Sequence, residues 1–191
     1  MEAEKKLIRG LKRGSQAAFE QLLELYSEKV YHTAFHMLSN EEDANDAAQE
    51  TFLAIYKSIG RFRADSSLST WIYKITVNTC INLARKNQKH ATVPMEFNAH
   101  GELVDLQLPD TAPTPEEAVI GKVSYEEVRH AIDQLGGEHR TVIVLRDIEN
   151  LSYEEIAQIV NLPQGTVKSR INRARSQLRQ IILKNRELFN C

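Results

Sequence analysis

The C-terminal third of the chain carries the clearest pattern of apolar and polar positions. Ser152 and Glu155 stand three residues apart before an apolar run, which is the arrangement of a helix-capping box. The run 161–163, Asn-Leu-Pro, predicts the end of this short helix, and a second helix follows. Its apolar residues recur at helical spacing on one stripe, Val167, Ile171, Ala174, Leu178 and Ile181. The pattern predicts a helix-turn-helix.

The opposite face of the second helix is polar and basic. Ser169, Asn172, Arg173 and Ser176 are predicted to point away from the apolar stripe, and Lys168, Arg170 and Arg175 flank them. Residues 164–186 include no acidic side chain. Small polar groups on such a face can reach base edges in a major groove, and the cations can reach phosphates. A merely solvated basic face is the alternative, but the capped helix and tight turn before it favour nucleic-acid binding.

Helices are also predicted from Ser15 onward in the first ninety residues. Ser15 is expected to cap a long helix that ends near Ser39, and Asn40 is expected to cap the next. A polar loop at 60–67 separates this pair from a third helix over about 68–89. Because successive helices are tightly joined, the first two should pack antiparallel.

The third helix has an unusual distribution of polar residues. A polar edge lies beside Trp71 and consists of Lys74, Asn78, Asn82 and Arg85. Val77 and Cys80 are apolar on a further side, which predicts that more than one face of the helix is covered. Amides and cations beside an aromatic ring could hold a single nucleic-acid strand. The alternative is that Trp71 is simply a core residue.

The second helix presents an acidic and amide face around one apolar side chain. Asp46, Gln49 and Glu50 surround Leu53 on its outward side. An apolar residue ringed by polar groups can anchor a protein partner. Isolated surface leucines are also common, so both interpretations stay open on the residues alone.

A composition change divides the chain. Residues 91–117 contain no Lys or Arg but several prolines and acidic residues, and they predict an extended linker. Beyond it, one helix is predicted to close at Gly136-Gly137 and another to lead to Ser152. No strand pattern competes. The expectation is an all-α protein with two small helical domains, 1–90 and 118–191, joined by the acidic linker.

Composition narrows the functional classes. The 191 residues carry a net charge of -2, so the whole protein is not a general basic coat for nucleic acid. Only Cys80 and Cys191 are cysteines, and no leader or long apolar run appears, which predicts a cytoplasmic protein without membrane insertion. His32 and His36 have metal-ligand spacing but no third ligand nearby. No phosphate-binding or nucleophile motif occurs, so no enzyme activity or cofactor is expected.

Three segments together carry a family resemblance: DANDAAQETFLAIYKSI, FRADSSLSTWIYKITVNTCINLARK and LSYEEIAQIVNLPQGTVKSRINRARSQLR. In order and spacing they resemble the extracytoplasmic-function class of bacterial sigma factors. The resemblance implies an initiation subunit of RNA polymerase, commonly held by an anti-sigma factor. Residues 1–90 would correspond to region 2, which binds core polymerase and opens the -10 element. Residues 118–191 would correspond to region 4, which reads the duplex -35 element.

The resemblance also implies roles for individual positions. The polymerase-binding surface would be Asp46, Gln49, Glu50 and Leu53. Capture of the single-stranded -10 element would fall to Phe62, Asp65, Ser66, Trp71, Lys74, Asn78, Asn82 and Arg85. Contacts to the -35 element would come from Lys168, Ser169, Arg170, Asn172, Arg173 and Arg175. Family members commonly have Gly where this chain has Ala64, so the backbone of the capture loop can differ here.

A stand-alone helix-turn-helix regulator is the main alternative. Such a protein would dimerise on a palindrome while its first domain sensed a signal, and that domain should offer a pocket or a modification site. The first ninety residues instead show exposed acidic faces and a Trp-bearing edge. An adaptor without DNA contact would leave the basic helix unexplained. Whether the chain binds duplex promoter alone, or only with core polymerase, discriminates between the two main classes.

Overall fold

A computed structural model describes residues 2–88 and 124–189, and all regular secondary structure within these ranges is helical. The predicted linker at 91–117 lies outside the described residues. The elements are α1 (Glu2–Lys12), α2 (Gln16–Leu38), α3 (Glu41–Ser58), a 3₁₀ turn (Ile59–Arg61), α4 (Leu68–Gln88), α5 (Tyr125–Asp133), α6 (Gly137–Ile143) with a π-helical turn (Val144–Ile148), α7 (Tyr153–Val160) and α8 (Gln164–Phe189). The all-α prediction is confirmed.

The predicted caps of the first two long helices are present. The Ser15 hydroxyl accepts a hydrogen bond from the Ala18 amide at 3.4 Å, and Asn40 accepts one from the Asp43 amide at 2.9 Å. Between the helices, Ser39 takes a left-handed conformation with φ 59° and ends α2. Because each cap satisfies amides that the helix itself leaves unpaired, the bounds of α2 and α3 follow from local sequence.

Helix α1 was not among the predicted helices. Leu7 and Leu11 are its buried residues, and they join the core that α2, α3 and α4 form in the first domain. Helix α1 approaches α2 closely at Gly10, where an added Cβ would lie 2.7 Å from the Ala18 Cβ. Glycine is therefore required at this crossing because a side chain would not fit, and not because the backbone angles exclude other residues.

The prediction that Gly136-Gly137 closes a helix was wrong. Helix α5 already ends at Asp133, with Gln134 as its C-cap in right-handed conformation, and Gly136 is instead the N-cap of α6. Gly136 has a negative φ of -59°, so it does not provide the left-handed turn by which a terminal glycine ends a helix. Helix α6 then continues directly into the π-helical turn, which precedes Ser152 in the chain.

The two domains share a hydrophobic core. Val77 and Cys80 of α4 are 2% and 0% exposed, and they lie in one cluster with Met37 of α2 and with Leu145 and Ile156 of the second domain. The prediction that α4 is covered on more than one face is confirmed. The covering surface is the second domain, which the sequence pattern had not identified.

Buried polar contacts add specificity to this domain contact. The Glu149 carboxylate accepts hydrogen bonds from the Tyr73 hydroxyl at 2.6 Å and from the Thr33 hydroxyl at 3.0 Å. Arg140 is 7% exposed and donates to the Met37 carbonyl at 3.0 Å. Burial and the bond to Glu149 raise the pKa of Tyr73, which keeps its hydroxyl a donor. Each group would be costly to bury alone, so the pairs fix how the domains meet.

Candidate nucleic-acid interface

The helix-turn-helix is built from local contacts. Ser152 and Glu155 form a full capping box: the Ser152 amide donates to Glu155 Oε2 at 2.9 Å, and the Glu155 amide donates to Ser152 Oγ at 3.2 Å. This backbone donor lowers the pKa of the Glu155 carboxyl. Helix α7 ends at Asn161, whose left-handed φ of 54° turns the chain towards Pro163 and α8. The predicted start, stop and turn are therefore all present.

Helix α8 separates its apolar and polar faces as predicted. Val167, Ile171 and Ala174 are each 0% exposed. Lys168, Ser169, Asn172 and Arg173 are exposed on the other side. The buried stripe fixes the helix on its domain, and this leaves cations and small polar groups facing outward along several turns.

Two basic residues of this face are held by acidic residues of the same domain. Arg170 Nη2 lies 2.9 Å from Glu138 Oε2, and Arg175 donates two hydrogen bonds to Asp147, one of them from Nε at 3.1 Å. The hydrogen bonds from Arg175 to Asp147 raise the pKa of that guanidinium. The paired geometry orients a planar guanidinium. Glu138 and Asp147 were not found from sequence, because no local motif connects them to α8.

The loop before α4 is supported from beneath by an aromatic pair. Phe62 is 4% exposed, and its ring centroid lies 5.1 Å from that of half-buried Trp71. Asp65 is exposed and Ser66 is half-buried, and the neighbouring Arg63 and Ser67 are exposed as well, so several polar side chains are available at the loop surface. The Phe62 ring faces the core, and its position suits support of the loop rather than direct contact with a base.

Ala64 has a backbone conformation that is unusual for a residue with a Cβ. Its φ is 59°, in the left-handed region that glycine adopts without the steric cost of a Cβ. This is the position at which the sequence departs from the glycine of the resembling family.

The polar edge of α4 faces the second domain in part. Asn78, Asn82 and Arg85 are exposed, and Lys74 is half-buried. A cleft of about 510 Å³ between the domains is lined by residues of both, among them Lys74, Asn78, Arg85, Glu138 and Arg170. The candidate strand-binding edge and one shoulder of α8 thus line the same cleft.

The outward face of α3 carries the predicted acidic and apolar side chains together. Asp46, Gln49 and Glu50 are exposed, and Leu53 is 57% exposed. Tyr56, one turn further on, is 60% exposed and packs edge-on against Phe19 at 5.5 Å. Tyr56 was missed from sequence, although its spacing from Leu53 places both on one helix face. Adjacent exposed apolar groups with an acidic border are typical of a protein-binding surface.

Comparison with known proteins places these surfaces in a family. The model of sigma-70 region 2 matches residues 22–90, and that of sigma-70 region 4 matches residues 125–178. The ECF RNA polymerase sigma factor SigW of Bacillus subtilis is 37% identical over 177 residues, covering 92% of this chain and 95% of SigW. This chain belongs to the ECF sigma factors. The RNA polymerase sigma-H factor of Pseudomonas aeruginosa is 34% identical over 93% of this chain and 92% of its own length.

Solved structures show the same fold. This sigma factor is similar to CnrH, solved in complex with the cytosolic domain of CnrY, with a TM-score of 0.67 and 24% identity over 94% of this chain and 97% of CnrH. It is also similar to RpoE of Bartonella quintana, solved with the anti-sigma factor NepR, with a TM-score of 0.64 and 24% identity. That likeness covers 86% of this chain and 96% of RpoE.

The candidate surfaces of this sigma factor fall within the matched ranges. The α3 face and the loop with α4 lie in the region 2 match, and the outward face of α8 lies in the region 4 match. Helix α1 precedes the first match, which begins at residue 22. The residues of α1 therefore lie outside the matched segment, although residues that they pack against lie within it.

The His32 and His36 pair gains no further ligand in the part of the chain that the structure describes. Within residues 2–88 and 124–189, no group of three or more His, Cys, Asp or Glu side chains is placed to hold a metal ion. His36 is buried against Tyr125 of the second domain, with ring centroids 6.4 Å apart. None of the helices within these same residues combines the length and the apolarity that crossing a membrane requires.

Proposed function

We propose that this ECF sigma factor binds core RNA polymerase and directs it to promoters through two separate DNA contacts. The first domain opens and holds the -10 element as a single strand, and the second reads the -35 element as a duplex. The protein works in the cytoplasm as a non-enzymatic subunit. The observation that carries the proposal is the exposed basic face of α8, set on a capped helix-turn-helix and backed by a buried apolar stripe.

At the -35 element, α8 enters the major groove with its outward face. The Asn172 side-chain amide can form hydrogen bonds with the edge of an adenine, and the Arg173 guanidinium can donate two hydrogen bonds to a guanine. Lys168 lies beside them on the exposed side and reaches phosphate. Arg175, already oriented by Asp147, supplies a second positioned cation for the DNA backbone.

At the -10 element, the loop 62–67 receives an unstacked base, and the α4 edge carries the strand. Asp65 and Ser66 provide acceptors and donors at the loop surface. Lys74, Asn78, Asn82 and Arg85 follow along α4, and cations with amides suit a strand that exposes both phosphates and base edges. Trp71 and Phe62 support the loop from below.

The acidic α3 face contacts the polymerase. Asp46, Gln49 and Glu50 surround Leu53, and the exposed Tyr56 extends the apolar centre of this surface. We further propose control by an anti-sigma factor, because the similar sigma factor RpoE was solved in complex with one.

The decisive experiment is run-off transcription with core polymerase over a promoter library. The intact chain should support transcription from a subset of promoters and should bind duplex promoter tightly only with core polymerase. Asn172→Ala should cost about 1–3 kcal/mol at one -35 position, whereas Lys168→Ala should weaken all promoters alike and lower the salt slope by about one. Lys184→Ala, an exposed cation further along α8, is the matched control.

Two outcomes would contradict the proposal. Absence of run-off product with any promoter would exclude the initiation function. Tight binding of the free chain to a palindromic duplex would support the alternative of a stand-alone regulator.

A further inference from the structure

Helix α1 contacts both ends of the loop that leads into α4. The Lys12 ammonium donates to the Phe62 carbonyl at 2.6 Å, although the two residues are 50 apart in sequence. At the other end, the Leu68 amide donates to Glu4 Oε1 at 3.1 Å across 64 residues. Both bonds are partly buried. One short helix therefore holds the residue where the loop begins and the residue where it ends.

Apolar packing fixes α1 in the position from which these bonds form. Leu7 and Leu11 are 5% and 6% exposed and lie in the same cluster as Phe62 and Leu68. Glu4, Leu7 and Leu11 follow helical spacing, so the carboxylate and the buried leucines share a face. Glu4 and Lys12 are themselves exposed, and their partly buried hydrogen bonds lie at the edge of this packed interface.

The Glu4 carboxylate serves as a distant cap for α4. The first amides of a helix have no partner within the helix. Ser67 Oγ accepts from the Thr70 amide at 3.0 Å, and Glu4 accepts from the Leu68 amide. A carboxylate is favoured at this end of the helix dipole.

Between these two fixed ends the loop takes a conformation that needs support. Ala64 has a left-handed φ of 59°. This conformation is unfavourable in free energy for any residue that has a Cβ. Restraining both ends lowers the entropy that the loop loses when it orders around a base. A loop ordered in advance can distinguish one base from another, because the polar groups of the loop are already in place.

We infer that Glu4 and Lys12 are positioning residues for -10 strand capture, acting by holding the two ends of the 62–67 loop. The inference rests on the proposed function, since it assigns a role within that same site. The residues lie before the range matched by the region 2 model, so their role is carried by the contacts of this chain.

The test uses the full chain with core polymerase and the double variant Glu4→Ala/Lys12→Met. Its matched control is Glu2→Ala/Lys5→Met, which makes the same changes of charge at exposed positions of α1. Open-complex formation is measured on a duplex promoter, on the same promoter with an opened -10 segment, and on a set of -10 base substitutions. The double variant should lose about tenfold on the duplex promoter and discriminate less at the captured base.

A role in positioning predicts two further results. The double variant should bind core polymerase as the wild type does, because the α3 face is untouched. The conservative pair Glu4→Gln/Lys12→Arg should restore base discrimination, because it keeps an oxygen acceptor and an N–H donor at the two loop ends.

The possible failures are distinguishable. If the wild-type chain does not initiate with core polymerase, the proposed function itself is wrong. If the wild type initiates and the double variant keeps the base discrimination of its control, the positioning role is wrong. Reduced thermal stability with unchanged base discrimination would likewise overturn it, since that is the result of a merely structural contact.

Discussion

The two proposed DNA-binding regions are held in shape by different kinds of contact. In the helix-turn-helix, Ser152 and Glu155 cap α7 across three residues, and Asn161 makes the turn through its own backbone. In the capture loop, Phe62 and Leu68 depend on side chains of α1 that are 50 and 64 residues away. The caps of the first region come from neighbours in sequence, whereas the two ends of the loop are held by neighbours in space.

This difference predicts which substitutions would disturb each region. The capping box lies within the segment and so does not depend on distant packing, and the hydrogen bond from the Thr70 hydroxyl of α4 to Glu155 Oε1 is longer, at 3.4 Å. A loop fixed by a separate helix loses its geometry when that helix moves. Substitutions that displace α1 should therefore affect the -10 contact and leave the -35 contact intact.

The largest expected effect comes from Gly10→Ala. The added Cβ would lie 2.7 Å from the Ala18 Cβ, so α1 and α2 must separate, at a cost of about 1–3 kcal/mol. Gly165→Ala meets no atom within 4 Å and should leave stability unchanged or raise it slightly. Chemical denaturation of both variants gives the free energies, and promoter opening reports the loop.

The matched control for Gly10→Ala is Gly60→Ala, which lies beside the loop and also meets no atom within 4 Å. If all three glycine variants were equally stable, the close approach of α1 to α2 would not support the loop, and the contrast between the two regions would fail.

The second prediction tests the locally held region. Ser152→Ala removes the hydroxyl that accepts from the Glu155 amide and should cost about 1 kcal/mol. Because the cap belongs to α7, affinity for the -35 duplex should fall while -10 base discrimination stays as in the wild type. Ser152→Thr keeps a hydroxyl that can accept from the Glu155 amide and donate to Glu155 Oε2, so it should restore most of the loss. Equal damage to both DNA contacts would contradict local control.

The same division explains how much of the fold could be predicted. Ser15, Asn40 and Ser152 are caps whose partners lie three residues away, and each was found from sequence because the signal is local. Gly136 was misassigned, because a glycine between helices can end one or begin the next. Helix α1 was not predicted, because Leu7 and Leu11 are its only buried residues and two apolar positions are a weak signal for a helix.

The candidate site divides in the same way. The outward face of α8 follows from helical period, which places Asn172 and Arg173 opposite buried Ile171 and Ala174. The helical periodicity of the sequence could not show that Glu138 would pair with Arg170, because this pairing depends on how the second domain folds. Apolar Val77 and Cys80 indicated a cover on α4, but their spacing carries no information on what provides it.

A smaller effect is expected at the left-handed residues of the first domain. Ala64→Gly should gain about 0.5 kcal/mol, because glycine takes the observed φ of 59° without the cost of a Cβ, which outweighs its greater chain entropy. Gly14→Ala should lose a similar amount at φ 72°. Opposite signs in denaturation experiments would confirm the strain at Ala64, and a loss at both positions would contradict it.

The smallest effect is a difference in pH dependence that separates long-range from local contacts. Burial lowers the pKa of His36, with further lowering by His32 and Arg129 and opposition from Glu149 and Asp133. Most of these groups belong to the second domain, as does Tyr125, whose hydroxyl lies 3.5 Å from His36 Nε2. As the pH falls, His36 therefore binds a proton in the unfolded chain before it does so in the folded chain. The free energy of unfolding then decreases as the pH drops below about 6.5.

For Glu155 the lowered pKa comes mainly from the Ser152 amide, so its contribution is present above about pH 4.5 and is lost as pH falls further. On acidification the domain contact should weaken first and the capping box later. Thermal unfolding between pH 8 and pH 5, taken at about one-unit steps, should show a slope that His36→Leu removes. His130→Asn, at an exposed position of α5, should keep it. An unchanged slope in His36→Leu would mean that the domain contact does not depend on a neutral imidazole.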